Sequence, residues 1–463
     1  MKKHAFFAAL AGTAMTIVVT PAAAQEGGPP TLQDAIGSDD FTISASVRTR
    51  YESYENPFRS SGAEAADLLS FRTIVQAEYD AGPIRIGGQL QDARAYWADT
   101  GTPLSTADVN ALELVEAYVT AELGEALGSG STTEVTAGRF LLGLGSKRLA
   151  ASPGFRNTAN GFTGLRLDWS HAERGQSLTA FYTLSQQRLP SDRASLLAND
   201  VEWDRESDDL RFWGGIFSTP LADTGTKLEL YGYGLDEDDR ADRATRNRHL
   251  LTLGSRLYAP SARGKVDFEV EGAYQTGTIR ASTAAAAPKL DVSAYTMVAE
   301  IGYTFDHRAK PRLSLFGDIA SGDDPASASF NRFDTLFGIR RGEWGPSSSL
   351  YGPLSRNNIR DFGLRFEIKP SKRVDAFLAA RAAWLDEPTD SFAKTGIRDA
   401  TGQSGRQAGE QIEARVRYWV VPDFIQLDVG GAVLAKGEFL RSAPNVSNTG
   451  DTRYFYADLY FKF

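Results

Sequence analysis

The stretch YFYADLYFKF, residues 454–463, alternates strictly. Phe455, Ala457, Leu459, Phe461 and Phe463 fall on one face, and Tyr454, Tyr456, Asp458, Tyr460 and Lys462 on the other. A period of two is the mark of a strand with unlike faces. The pattern recurs along the whole chain. Phe41, Ile43, Ala45 and Val47 interleave with Thr42, Ser44, Ser46 and Arg48. Val266, Phe268 and Val270 interleave with Asp267, Glu269 and Glu271, and Ile412, Ala414, Val416 and Tyr418 with Glu413, Arg415 and Arg417. No long segment has helical period; the short run 31–36 reads as a helical or irregular N-terminal piece.

Eighteen strands are predicted, beginning with 41–54, 68–79 and 84–96 and ending with 409–420, 424–436 and 453–463. The connections alternate in length throughout: 55–67 is long and 80–83 short, 141–160 long and 171–176 short, 320–357 long and 369–373 short. An even strand number with long outer loops and short periplasmic turns describes a bacterial outer-membrane barrel. A water-soluble sandwich has no reason to keep such alternation. In a lipid-spanning barrel the apolar face points outward and the polar face lines the lumen. That arrangement reconciles slightly negative mean hydropathy with a membrane location. Closed barrels and helices alone satisfy every backbone group in hydrocarbon. The expected fold class is therefore all-β, a transmembrane antiparallel β-barrel of eighteen strands with YFYADLYFKF as its closing strand. Phe463 at the tip resembles the signal read by the barrel assembly machinery, an expected partner beside outer-membrane lipid and lipopolysaccharide.

The domain organisation follows. Lys2 and Lys3, an apolar stretch and Ala22-Ala23-Ala24 read as a secretory signal over 1–24. Residues 25–40 are expected to be a periplasmic N-terminal segment and 41–463 the barrel. Cysteine is absent, so neither disulfides nor thiolate chemistry arises. Without Lys2 and Lys3 the balance is 48 basic to 59 acidic residues, which argues against nucleic acid as a partner. Arg outnumbers Lys 38 to 12. That bias suits carboxylates gripped by a planar fork of donors, and it also arises in GC-rich genomes.

An enzyme would need a constellation that the chain does not offer. Beyond the signal the histidines are His171, His249 and His307, and no GxSxG or HExxH stretch occurs. GLGSK (143–147) lacks phosphate-loop spacing. No catalytic residue, cofactor or metal site is expected. LDEDDRADR (235–243) could gather calcium, but it lacks calcium-loop spacing and reads as a solvated outer loop.

GRFLLGLGSKRL (138–149), GFRNTANGFTGLRLDW (154–169), SVRTRYESYEN (46–56), RFDTLFG (332–338) and RNNIRDFGLRFEIKP (356–370) resemble the alginate export family of outer-membrane barrels. Phe140 stands where that pattern leads one to expect Gln, and Thr163 where it leads one to expect Asp. The resemblance implies an eighteen-strand barrel passing an anionic uronate polysaccharide through an Arg-lined pore, with periplasmic export components as further partners.

The residues can be set against that implication independently. Strand parity puts Arg48, Arg50, Arg72, Arg85, Arg166, Arg211, Arg256, Arg312, Arg365, Arg381, Arg415 and Arg417 on the polar face, where rings of charge select ions by sign. Arg139 and Arg148 lie in the matched motif, and a bulge near Gly138 would turn Arg139 inward. The expected pore-lining, substrate-binding set is Arg48, Arg50, Arg139, Arg148, Arg166, Arg211, Arg365, Arg381, Arg415 and Arg417. The competing reading is that these arginines pair with lumen carboxylates such as Glu52, Asp168, Glu367, Asp375 and Glu413 and brace the wall. Residues 320–357 are too long for a turn and either fold into the pore or point outward. Passive movement fits both export of a polymer and uptake of its fragments.

Overall fold

Phe463 ties the alternating stretch 454–463 to β1 (Phe41–Glu55). Its N–H donates to the carbonyl of Ala45 (2.8 Å) and its carbonyl accepts from the Ala45 N–H (3.2 Å), so the last residue is sewn to the first strand. The computed structural model describes residues 31–221, 225–240, 242–339 and 350–463. The strands are β1 (Phe41–Glu55), β2 (Ala65–Asp80), β3 (Ile84–Tyr96), β4 (Asn110–Gly124), β5 (Ser131–Leu141), β6 (Gly161–His171), β7 (Gln176–Ser185), β8 (Leu210–Leu221), β9 (Thr226–Glu237), β10 (His249–Ala259), β11 (Lys265–Arg280), β12 (Lys289–Thr304), β13 (Arg312–Ala320), β14 (Ile359–Ser371), β15 (Val374–Trp384), β16 (Gln407–Val421), β17 (Ile425–Lys436) and β18 (Thr452–Lys462). Each pairs antiparallel with its sequence neighbour, and β18 closes on β1 from Ser46↔Lys462 to Glu55↔Arg453. Closure leaves no sheet edge, as hydrocarbon requires.

The connections alternate as expected. The longest on the short side is 305–311, and the shortest on the other is 281–288. The expected signal 1–24 lies outside the described residues. Ahead of β1, helix α1 (Leu32–Ile36) is capped by Thr31, whose hydroxyl accepts from the Asp34 N–H while the Asp34 carboxylate accepts from the Thr31 N–H. Gln33 then ties α1 to the start of β1 through the Phe41 carbonyl and the Ile43 N–H.

Leu315, Phe362, Ile412 and Val416 stand exposed on the outer face. Aromatic pairs mark both rims, Phe424–Phe463 and Tyr303–Phe305 at the periplasmic end, Phe362–Trp384 and Tyr51–Trp97 at the other. The buried core sits inside the extracellular half of the barrel. There the connection 142–160 and the described parts of a second long one, 321–339 and 350–358, fold inward and meet, with Phe337 bridging Ala150. Gly338 permits the approach, since any Cβ there would overlap the Arg148 carbonyl. Of the two expectations for 320–357, the inward one fits its described residues, with Phe333, Leu336, Leu350, Tyr351 and Leu354 buried, while 340–349 lie outside the described residues.

The rule that the lumen face is polar fails along β5–β9. Phe140, Phe162, Phe181, Phe212, Tyr231 and Tyr233 are buried inside, and Phe162 and Phe212 pack on Phe337 with centroids 5.2 and 5.0 Å apart. An inserted loop must be held by something, and here apolar contact holds it.

Candidate pore and its mouth

The periplasmic half of the lumen is a lattice of arginines and carboxylates set by strand register. Arg85 meets Glu134 (2.8 Å), Arg166 meets Asp168 (2.6 Å), and Arg256 meets Glu229 and Glu269 (both 3.1 Å). Arg312 joins Asp267, Glu300 and Glu367. Arg365 pairs with Glu367 (2.9 Å), Arg415 with Asp375 (2.9 Å) and Arg417 with Asp428 (3.3 Å). The pairing reading thus describes most of the wall. It does not consume every donor. Arg166 and Arg365 engage their carboxylates through Nε alone, and among the described residues no hydrogen bond is made by their Nη atoms. Arg365 and Arg415 flank the Phe377 ring at 3.8 and 5.0 Å, so β14–β16 present a track of partly hydrated guanidinium groups.

Higher up, the expected lumen arginines are buried. Arg381 lies between Asp361 (3.0 Å) and Glu413 (3.8 Å). Arg148, on the inserted connection 142–160, is clamped by Glu269 and Glu271 of β11. Arg50 forks onto Asp458. Arg48 and Arg72 donate to main-chain carbonyls of the same inserted connection.

Two expected pore residues lie elsewhere. β5 pairs with β6 in unbroken register from Ser131 to Leu141, so no bulge turns Arg139 inward. It keeps the face of exposed Ala137 and, across the pair, of exposed Leu165, and is held by Glu113 (2.9 Å) and Glu206 (2.7 Å) near the outer rim. Arg211 shares the face of exposed Trp213, since buried Phe212 takes the inward position, and it pairs with Asp238 (3.1 Å). Both follow one physical cause. Above the hydrocarbon, outward positions meet polar headgroups, so polarity no longer reports the lumen side.

The departures from the family pattern make local sense. Phe140 belongs to the aromatic cluster. Thr163 donates to Glu206 (2.5 Å), the carboxylate that grips Arg139, where an Asp would add a like charge.

The mouth was missed because loops have no parity. A cleft of about 910 Å³ opens above the inserted connections, lined by Arg156, Arg188, Arg205, Arg240, Arg243, Arg248 and Lys394 against Glu202, Glu237 and Asp242. It adjoins a second of about 410 Å³ that adds Arg246 and Arg332. The signal stood in the sequence as Arg240, Arg243, Arg246 and Arg248, spaced through DDRADRATRNRH (238–249). The carboxylates of LDEDDRADR diverge instead of converging. Asp236 accepts from Trp213 (2.9 Å), Asp238 pairs with Arg211, and Asp239 accepts from Thr245 (2.8 Å). Opposite, the loop 186–209, with helix α2 (Arg193–Ala198), is pinned by Asp204, which accepts from Asn110 (2.7 Å) and the Leu189 N–H (2.9 Å) while its own N–H donates to Glu113 (2.7 Å). Burial, then the nearby Glu113 charge, raise Asp204 to about 7.

The comparisons agree with this architecture. The alginate export family model matches residues 40–452, and the chain belongs to that family of outer-membrane barrels. No curated protein matches the sequence. Similar solved structures include Pseudomonas aeruginosa OccK9 (OpdG), 13% identical, covering 92% of this chain and 98% of that one, TM-score 0.59. Acinetobacter baumannii OccAB1 is 14% identical, covering 92% and 97%, TM-score 0.57. Pseudomonas aeruginosa OccK2 (OpdF), solved in complex with glucuronate, is 13% identical, covering 92% and 96%, TM-score 0.55.

Proposed function

We propose that this member of the alginate export family is a passive outer-membrane pore for an anionic, alginate-like polyuronate. The observation that carries the reading is the arginine-rich mouth leading to a lumen track whose guanidinium groups are only partly engaged. A polyuronate bears a carboxylate on each sugar, and guanidinium offers it paired, charge-assisted donors. Several moderate sites in series let a chain advance without being trapped at one. The second reading is a channel for uronate monomers or short oligomers. The inserted connections, which narrow the outer half, and the glucuronate complex of the similarly folded OccK2 favour it.

Planar-bilayer recording tests the shared premise. In a salt gradient the reversal potential should indicate anion preference, and oligouronates should interrupt the current where neutral oligosaccharides of equal length do not. Replacing Arg365, Arg415 and Arg417 together with Glu should move the reversal potential toward cations. Cation preference in the native pore, untouched by those changes, would overturn the proposal. Liposome flux with size-graded oligouronates separates the two readings by the length at which passage stops.

A further inference from the structure

Arg48, Arg50 and Arg72 form a buried group of three guanidinium ions at the middle of β1 and β2, where Arg48 pairs in register with Arg72. Asp458 is bound within the group and taken by Arg50, while the buried Glu52, which accepts from the Tyr454 hydroxyl (2.7 Å), adds its charge to Arg48 and Arg50 without an ion pair to either. Among the described residues neither Arg48 nor Arg72 has an ion pair. Their acceptors are neutral: one segment of the inserted connection serves both, and the Tyr460 hydroxyl of β18 also meets Arg72. Arg48 donates to the carbonyls of Gly154 (3.0 Å), Phe155 (3.0 Å) and Arg156 (3.2 Å), and to Asn157 Oδ1 (3.1 Å). Arg72 donates to the carbonyls of Gly154 (3.0 Å) and Arg156 (2.9 Å). The Arg50 guanidinium lies 3.4 Å from the Phe155 ring centroid. Arg48 Nε and Arg72 Nε are buried without an acceptor.

A buried cation whose acceptors are all neutral lacks an ion pair, and a carboxylate would supply the countercharge that carbonyls and hydroxyls do not. We infer that Gly154–Arg156 is a displaceable plug over an occluded carboxylate site, its carbonyls standing where a uronate carboxylate binds Arg48 and Arg72. The segment is a short span between two anchors. Asn157 anchors its far side by donating to the carbonyls of Phe71, Arg94 and Asp108, and Ala151 anchors its near side at Phe337. Gly154 between them is exposed. Ligand binding that excludes the plug shifts it outward and widens the passage. The inference rests on the uronate reading and adds a regulated step to it.

The test uses a nitroxide label at Gly154→Cys in the cysteine-free full-length protein, a position where an added Cβ meets nothing within 4 Å. Sodium glucuronate should raise the mobile component of the label's spectrum several-fold, whereas glucose or sodium chloride at equal ionic strength should not. Arg48→Gln with Arg72→Gln should make the label mobile without ligand and abolish the response. Phe155→Ala, which leaves all three arginines in place, should lower the glucuronate concentration at half response should the double variant fail to assemble. A label equally immobile at every glucuronate concentration, in a pore that still prefers anions, sinks the plug and leaves the polyuronate pore standing. Loss of anion preference itself would instead remove the premise.

Discussion

The two halves of the lumen use the same charged residues in opposite ways. In the outer half Arg381 and Asp361 keep only 1% and 0% of their side-chain surface in water; in the inner half Arg166 and Asp168 keep 29% and 34%. The difference is made by what lies over them. The outer half is covered by the inserted connection 142–160 and by the described residues 321–339 and 350–358, whose apolar side chains join the aromatic wall of β5–β9. The inner half faces the open lumen. An ion pair under the plug is a structural part whose partner cannot be lost cheaply, while a hydrated pair is a loose brace with donors left for a passing anion.

Breaking a covered pair should have the largest effect. Asp361→Ala removes the nearer carboxylate from the buried Arg381 guanidinium, and stability should fall by about 3–5 kcal/mol. Denaturant titration of the refolded barrel, followed by heat-modifiable gel mobility, measures it. A loss near zero would mean that water reaches Arg381 and that the halves do not differ.

A charge on the lipid face supplies an outside reference for that number. Val416 is exposed at mid-strand, and Val416→Arg should cost about 2–4 kcal/mol by the same titration. Arg166→Ala, in the inner half, should cost less than about 1 kcal/mol. It should nonetheless weaken block by oligouronates, because Arg166 offers free Nη donors to the lumen. Equal costs for Asp361→Ala and Arg166→Ala would erase the comparison.

The smallest expected effect lies at the mouth. Asp204 is raised from 3.8 to about 7, so the docked loop holds a proton that the free loop gives up. Docking of 186–209 should therefore be firmest at the acid end, weaken as pH rises between those two values, and stay level above them. Amide hydrogen exchange across 186–209, corrected for intrinsic rates, reads this. Asp204→Asn should flatten the pH dependence, and an unchanged slope would place the titration on another group.

Alternation alone determined the strands, their number, the closing role of 454–463 and the side of most wall arginines. Each follows from local geometry: period two fixes faces, and connection length fixes which end a loop occupies. Arg139 and Arg211 escaped because parity gives a face and not a height, and above the hydrocarbon both faces are polar. The arginines of the mouth escaped because loops have no period. Which guanidinium meets a carboxylate and which a carbonyl was decided only by closure of the barrel and insertion of two connections. Arg50 and Asp458 lie at opposite ends of the chain, and Arg48 reaches Gly154 only because the sheet curls until those segments face each other. Pairing across a lumen is set by the whole ring of strands, and no single stretch of sequence contains it.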